Sequence, residues 1–173
     1  MISIINFIRH SLLYSGLFLA AGCSVLDVPI KAYTSARDYV FPPGEKLHWK
    51  SLDILMREDA NSDYPLEIDI ALIKNEKLLK KILELNSTEW FEQKKSISRI
   101  FAEDIIVKSW ELAPGDIIKV SDNFFQDKRV FGAIVFANYL SDGDYRVRLE
   151  KLKGVVVVEF DNDEFNAYVI KPN

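Results

Sequence analysis

The chain has 173 residues, 49% of them hydrophobic, and carries 22 Lys and Arg against 26 Asp and Glu. A formal net charge of −4 lacks the positive excess that a phosphate backbone requires, so the composition excludes nucleic acid as the expected partner. A half-apolar chain of this length is predicted to form one domain with a sizeable core.

Residues 1–22 have the pattern of a bacterial lipoprotein signal peptide. A short positive region with Arg9 precedes about a dozen mostly apolar residues, and the run ends in Ala20-Ala-Gly before Cys23. Cys23 is the single cysteine, so it cannot form an intramolecular disulfide, and we expect it to be acylated. A secreted protein with a chance cysteine stays open as an alternative. A transmembrane anchor is disfavoured because Asn6, Arg9 and His10 interrupt the segment.

Ser24 indicates the membrane in which the acylated protein resides. Two or more acyl chains hold a protein stably on a bilayer. An aspartate after the cysteine commonly retains lipoproteins in the inner membrane, and Ser24 takes that position here. We therefore expect a lipid-anchored protein on the periplasmic face of the outer membrane, attached to the membrane through acyl chains on Cys23.

Residues 23–46 are predicted to be the acylated cysteine and a tether. Pro29, Pro42, Pro43 and Gly44 break regular structure in this segment. Fully extended, the tether would span roughly 70 Å. A helix at residues 32–40 is the alternative.

Residues 47–173 are predicted to form the folded domain, and it opens with two strands. Apolar residues partly alternate with polar ones in residues 47–56 and alternate almost strictly in the first half of residues 66–73, as in half-buried strands. The intervening residues 57–65 are rich in polar turn formers. We predict a hairpin-like connection with an exposed tip.

Two helices are predicted at about residues 75–101. Asn75 can cap the first helix at residues 76–84, and Asn86 with Glu89 has the spacing of a capping box for the second. Trp90, Ile97 and Phe101 share one face of the second helix. This face is expected to pack on the core, with a docking groove for a partner helix as the alternative.

The period of the apolar residues then returns to two. Strands are predicted at residues 104–112, 116–120, 130–140, 144–149, 155–160 and 167–170. Turns are predicted at residues 113–116, which contain Pro-Gly, and at residues 141–144, which contain Asp-Gly. This order predicts a mainly β fold, an antiparallel β-sandwich with a short helical insertion.

The sequence contains few candidate residues for catalysis or metal binding. His48 is the only histidine after Cys23 and has no nearby nucleophile, so a catalytic triad is disfavoured. Asp59, Asn61 and Asp63 alternate, but the glycine and the terminal glutamate of a calcium loop are missing. We expect no catalytic residues, no metal site and no cofactor. The sequence favours a protein that binds another protein and is not an enzyme.

Several short motifs resemble the TssJ family, the outer-membrane lipoproteins of the bacterial type VI secretion system. Their order and spacing carry the resemblance. The motifs are Asn61 in the first loop, the strand that opens at Pro65, the aromatic pair Trp90-Phe91, the turn Leu112-Ala-Pro-Gly-Asp116, the strand at residues 131–137, and Tyr145-Arg146.

The resemblance implies a transthyretin-like β-sandwich that joins the outer membrane to the periplasmic C-terminal domain of TssM, an inner-membrane protein. In that family the loop between the first two strands takes part in the contact. The corresponding candidate partner-binding residues are Arg57, Glu58, Asp59, Asn61, Ser62, Asp63 and Tyr64.

Two other lipoprotein functions stay open. A pilotin-like protein would bind a secretin subunit. A ligand-carrying protein would hold a small molecule or an envelope polymer in a pocket lined by Trp90, Phe101 and Trp110. A hydrolase is the least favoured alternative.

Overall fold

The computed structural model describes residues 43–170. The predicted signal peptide, Cys23 and nearly all of the predicted tether lie outside the described residues. Ten strands and two helices follow in the described part of the chain. The strands are β1 Glu45–Lys46, β2 His48–Met56, β3 Leu66–Ile73, β4 Ile105–Leu112, β5 Ile117–Val120, β6 Arg129–Val130, β7 Gly132–Asn138, β8 Arg146–Arg148, β9 Lys153–Phe160 and β10 Phe165–Ile170, and the helices are α1 Glu76–Ile82 and α2 Ser87–Ile100.

Two four-stranded sheets form a sandwich, as predicted. The first sheet has the order β10-β9-β2-β5 and the second has the order β4-β3-β7-β8. Neighbouring strands are antiparallel except β2 and β9, which run parallel. The four-valine strand β9 is therefore a central strand, which explains its apolar composition.

The two central strands of the second sheet, β3 and β7, are buried on both faces. Ile68 and Ile70 of β3 pack between the sheets with Leu52 of the first sheet. Ala71 and Ile73 of the same strand face the other way and pack against the helices. Strand β3 thus contributes alternate side chains to two cores, which is why it is apolar at six of its eight positions.

Both helices begin directly after the capping residues predicted from the sequence. The side chain of Asn75 accepts hydrogen bonds from the amides of Lys77 and Leu78 at 2.9 and 3.2 Å. Asn86 and Glu89 form the reciprocal capping box, with both hydrogen bonds at 2.9 Å. Each cap satisfies amides that a first helical turn leaves unpaired.

A buried polar cluster fixes α2 on the second sheet. The indole Nε1 of Trp90 donates to Asp69 Oδ2 at 2.8 Å, and Lys94 Nζ lies 2.9 Å from the same oxygen. Lys94 also lies 2.7 Å from Glu67 Oε1. Burial alone would lower the pKa of Lys94, but its hydrogen bonds to Glu67 and Asp69 outweigh burial and leave that pKa raised. Lys94 therefore stays charged opposite the buried Asp69 carboxylate.

The hairpin predicted for residues 57–65 is wrong. Strand β2 belongs to the first sheet and β3 to the second, so this segment crosses between sheets. The turn at residues 113–116 makes a second crossing, from β4 to β5, with Gly115 at φ +87°. Residues 141–144 do lie in a hairpin connection, between the antiparallel strands β7 and β8.

Neither helix within residues 43–170 has the length and apolar run that a membrane span requires.

Candidate functional site

Four connections between strands gather at one end of the sandwich, which we call the loop end. They are residues 57–65, 113–116, 139–145 and 161–164. The first two are joined through Met56, whose amide donates to Asp116 O at 2.9 Å and whose carbonyl accepts from Gly115 N at 3.0 Å. The loop end therefore combines segments from both sheets.

Asn61 lies at the centre of the loop end. Its side chain is buried, with only 2% of the residue exposed. Its Nδ2 donates to Pro65 O at 3.0 Å, and its Oδ1 accepts from Leu140 N at 3.0 Å. Its backbone amide donates to Asn162 O at 3.0 Å. One residue thus connects the first, third and fourth connections.

Three consecutive residues of the first connection have left-handed backbone conformations. Asn61, Ser62 and Asp63 have φ values of 49°, 55° and 63°. Such a conformation costs an L-residue about 1–3 kcal/mol and persists only where its surroundings enforce it. Ser62 N donates to Asn162 Oδ1 at 3.0 Å. This hydrogen bond and those of Asn61 together stabilise the left-handed segment.

Tyr139 connects the third and fourth connections. Its hydroxyl lies 2.6 Å from Glu164 O and 3.1 Å from Asp161 O. Burial raises the pKa of Tyr139 well above its usual range, so the hydroxyl remains a protonated donor to these carbonyls. The backbone of the loop end is therefore held by internal hydrogen bonds.

The surface of the loop end is strongly acidic. The four connections contain nine Asp and Glu residues and one cation, Arg57, a formal balance of −8. Arg57 Nε lies 3.5 Å from both Asp59 Oδ1 and Asp161 Oδ2. Arg146, the first residue of β8, lies 2.9 Å from Asp144. Most of the negative charge thus stays uncompensated.

Two large apolar side chains are exposed among these carboxylates. Tyr64 is 60% exposed and Leu140 is 66% exposed. Both residues lie next to Asn61: its Nδ2 is 3.3 Å from Tyr64 O, and its Oδ1 accepts from Leu140 N. Tyrosine is enriched in protein–protein interfaces, so this part of the loop end is the candidate contact with another protein.

The predicted site residues separate into two groups in the structure. Arg57, Glu58, Asp59, Ser62, Asp63 and Tyr64 are all exposed. Asn61 instead points inward and shapes the segment that presents them. The sequence motifs did not include residues 161–164, although the three acidic side chains of this segment are a visible sign of the same surface.

The pocket expected for a ligand carrier does not form from the predicted residues. Trp90 and Phe101 pack in the core between the second sheet and the helices. Trp110 packs against the core between the two sheets. The second sheet lies between them, so these three side chains cannot line one cavity. Within residues 43–170, no group of three or more His, Cys, Asp or Glu side chains is arranged to hold a metal ion.

Comparison with known proteins gives structural matches only. No protein-family model matches the chain, and no curated protein matches its sequence. A chain of a type VI membrane complex is similar in structure, with a TM-score of 0.54 and 20% identity, over 73% of this chain and 99% of that one. The type VI secretion lipoprotein TssJ1 from Pseudomonas aeruginosa is similar with a TM-score of 0.55 and 10% identity, over 75% and 100% of the two chains.

A third similar chain belongs to the structure of the C-terminal domain of the type VI secretion protein TssM from EAEC. Its TM-score is 0.51 at 20% identity, over 68% of this chain and 98% of that one. These matches confirm the resemblance that the sequence motifs indicated. The protein has the fold of the TssJ lipoproteins of type VI secretion systems.

Proposed function

We propose that the protein is a lipid-anchored component of a type VI secretion membrane complex and binds the periplasmic C-terminal domain of a TssM-type inner-membrane protein. The observation that carries this proposal is the loop end. Four connections converge there around Asn61, and they include the segment that the family resemblance assigns to the partner. The role is mechanical, with no catalytic turnover.

The chemistry of the loop end defines the surface that it would fit. A formal balance of −8 over the four connections calls for a partner surface rich in Lys and Arg. Tyr64 and Leu140 supply apolar contact area inside that charged rim. Charge then accelerates and orients association, while the desolvated aromatic contact supplies much of the binding energy.

The direction of β2 agrees with this role. Gly44, where the described chain begins to pack, lies near the start of β2, whereas the loop end lies beyond the end of β2 at Met56. With acyl chains on Cys23 in the outer membrane and a tether of residues 23–46, the loop end would be presented on the side of the domain away from tether entry. It could then meet a partner that rises from the inner membrane.

Calorimetric titration with the TssM-type periplasmic domain from the same organism tests the proposal. We would compare the wild type with two triple variants of equal charge change. The loop variant is Glu58→Gln, Asp59→Asn and Asp63→Asn, and the control variant is Glu84→Gln, Glu92→Gln and Glu103→Gln, which are exposed on the helical side. The expected result is saturable binding that weakens about tenfold or more in the loop variant and in high salt, but not in the control.

Absence of binding at tens of micromolar would contradict the proposal. The pilotin-like function would then be tested with a secretin subunit, and the ligand-carrying function by mass spectrometry of co-purified molecules. Equal weakening in both triple variants would mean that net charge, rather than the loop end, controls association.

A further inference from the structure

The edges of the two sheets are protected unequally. A free edge strand offers unpaired amides and carbonyls to other chains, and proteins usually block it by charge, proline, a bulge or short length. Strand β8 has three residues, of which two are arginines. Strand β5 has four residues and includes Lys119, and β4 carries Lys108 and Glu111. Three of the four sheet edges therefore carry at least one of these protections.

Strand β10 forms the fourth edge and has none of them. Its six residues, Phe-Asn-Ala-Tyr-Val-Ile, include no charge and no proline. It pairs with β9 in one continuous register from Phe165–Phe160 to Ile170–Val155, without a bulge. Among the described residues no strand pairs with its outer edge, and Tyr168 and Ile170 are 41% and 49% exposed.

We propose that β10 is a strand-addition site, at which an extended segment of the partner protein pairs along its free edge. This inference rests on the proposed function and extends its contact surface from the loop end to the side of the first sheet. In such complexes the main-chain hydrogen bonds supply affinity, and alternate side chains supply specificity.

Charge and position indicate the chemistry of the added segment. Asp161, Asp163 and Glu164 immediately precede β10, so a strand along β10 would place one of its ends beside three carboxylates. The segment is therefore apolar at alternate positions and basic at that end. The connection at residues 161–164 also hydrogen-bonds to Asn61, so the β10 edge continues directly from the loop end.

A second copy of this chain fits the edge less well than a partner does. Parallel pairing of two β10 strands would bring two acidic loop ends together, each with a formal balance of −8. Antiparallel pairing would point each loop end towards the tether end of its neighbour, so the two loop ends could not meet one common partner.

Single-residue hydrogen exchange on the full-length protein in detergent tests the inference. In the free protein, alternate amides of β10 point away from β9 and should exchange quickly. When the TssM-type periplasmic domain is added, this alternate set should exchange at least about tenfold more slowly. The control is β5, another edge of the same sheet, whose outward amides should keep their rates.

The outcomes separate this inference from the proposed function. Calorimetric binding with protection of the loop end but unchanged β10 amides would overturn strand addition and leave the proposed function standing. Absence of binding would overturn both. Protection of β10 that appears in the protein alone and grows with its concentration would assign the edge to a second copy and overturn the partner assignment.

Discussion

Asn61 does not act as a surface residue, although it lies in the loop that is proposed to bind the partner. Residues 57–65 cross between the sheets, so most of their backbone groups do not pair with a neighbouring strand. The amide side chain of Asn61 supplies hydrogen bonds to backbone groups instead. It donates to Tyr64 O and Pro65 O and accepts from Leu140 N. Asparagine also tolerates the left-handed conformation better than most residues. Both properties explain why this residue type suits this position.

We predict that Asn61→Ala lowers the free energy of unfolding by about 1–3 kcal/mol, because buried backbone groups lose their hydrogen-bond partners. Urea denaturation measures the change. Ser62→Gly is the matched control, since it keeps the backbone hydrogen bond of Ser62 and relieves a left-handed conformation. It should not lower stability. A similar loss in both variants would contradict the assigned role of the Asn61 side chain.

The sequence identified Asn61 as a candidate residue but did not indicate that its side chain points inward. The polar composition of residues 57–65 predicts a connection, and the family resemblance draws attention to Asn61. Its burial depends on contacts with Asn162, which lies about a hundred residues later in the chain. No local pattern near Asn61 contains that information.

At the scale of elements, helix α1 packs closely on the second sheet at Gly132, where an added Cβ atom would force the Leu79 side chain to shift. A Cβ atom added at Gly132 would lie 2.5 Å from Leu79 Cδ1. Leu79 belongs to α1 and Gly132 opens β7, so this pair sets how closely the helical insertion approaches the sheet. The contact lies in the core beneath the helices.

We predict that Gly132→Ala destabilises the protein by about 1–3 kcal/mol through overpacking, and that Leu79→Ala costs about 2–5 kcal/mol through a cavity. The double variant should lose less than the sum of the two, by at least about 0.5 kcal/mol, because each change relieves the other. Urea denaturation of the four proteins gives this difference. Additive losses would show that the two positions do not share one contact.

The elements themselves were largely predictable. Alternation in the first half of residues 66–73 and the apolar run that follows located β3, and the spacing of Asn86 and Glu89 located the start of α2. The assignment of strands to sheets was not predictable, because a period of two marks a strand but not its neighbours. The crossing at residues 57–65 was therefore mistaken for a hairpin.

At the scale of the whole molecule, the start of the described chain and the proposed partner surface lie at opposite ends of β2. The tether enters near Gly44, which is packed against Val130, and the loop end follows Met56. With the proposed tether joined to the domain at Gly44, the domain would present its partner surface at the far end of β2. Its function would depend on attachment as much as on binding.

We predict that Cys23→Ala releases the protein into the soluble periplasmic fraction and abolishes secretion, because no acylated residue remains. Its fold, measured by circular dichroism, should not change. Ser24→Asp is the control: it keeps the acyl chains, so the protein should stay in the membrane fraction but move to the inner membrane. Unchanged fractionation of Cys23→Ala would contradict lipid anchoring.

The parallel pairing of β2 with β9 has a consequence for how the chain folds. It joins His48 to Lys153 and Met56 to Phe160, residues that are about 105 positions apart. A chain that emerges with its amino terminus first leaves β2 without its central neighbour until almost all of its residues have emerged. The first sheet cannot close early, so the core between the two sheets is completed only after β9 has emerged. Such late closure is compatible with the proposed export, in which the chain would cross a membrane unfolded and fold on the far side.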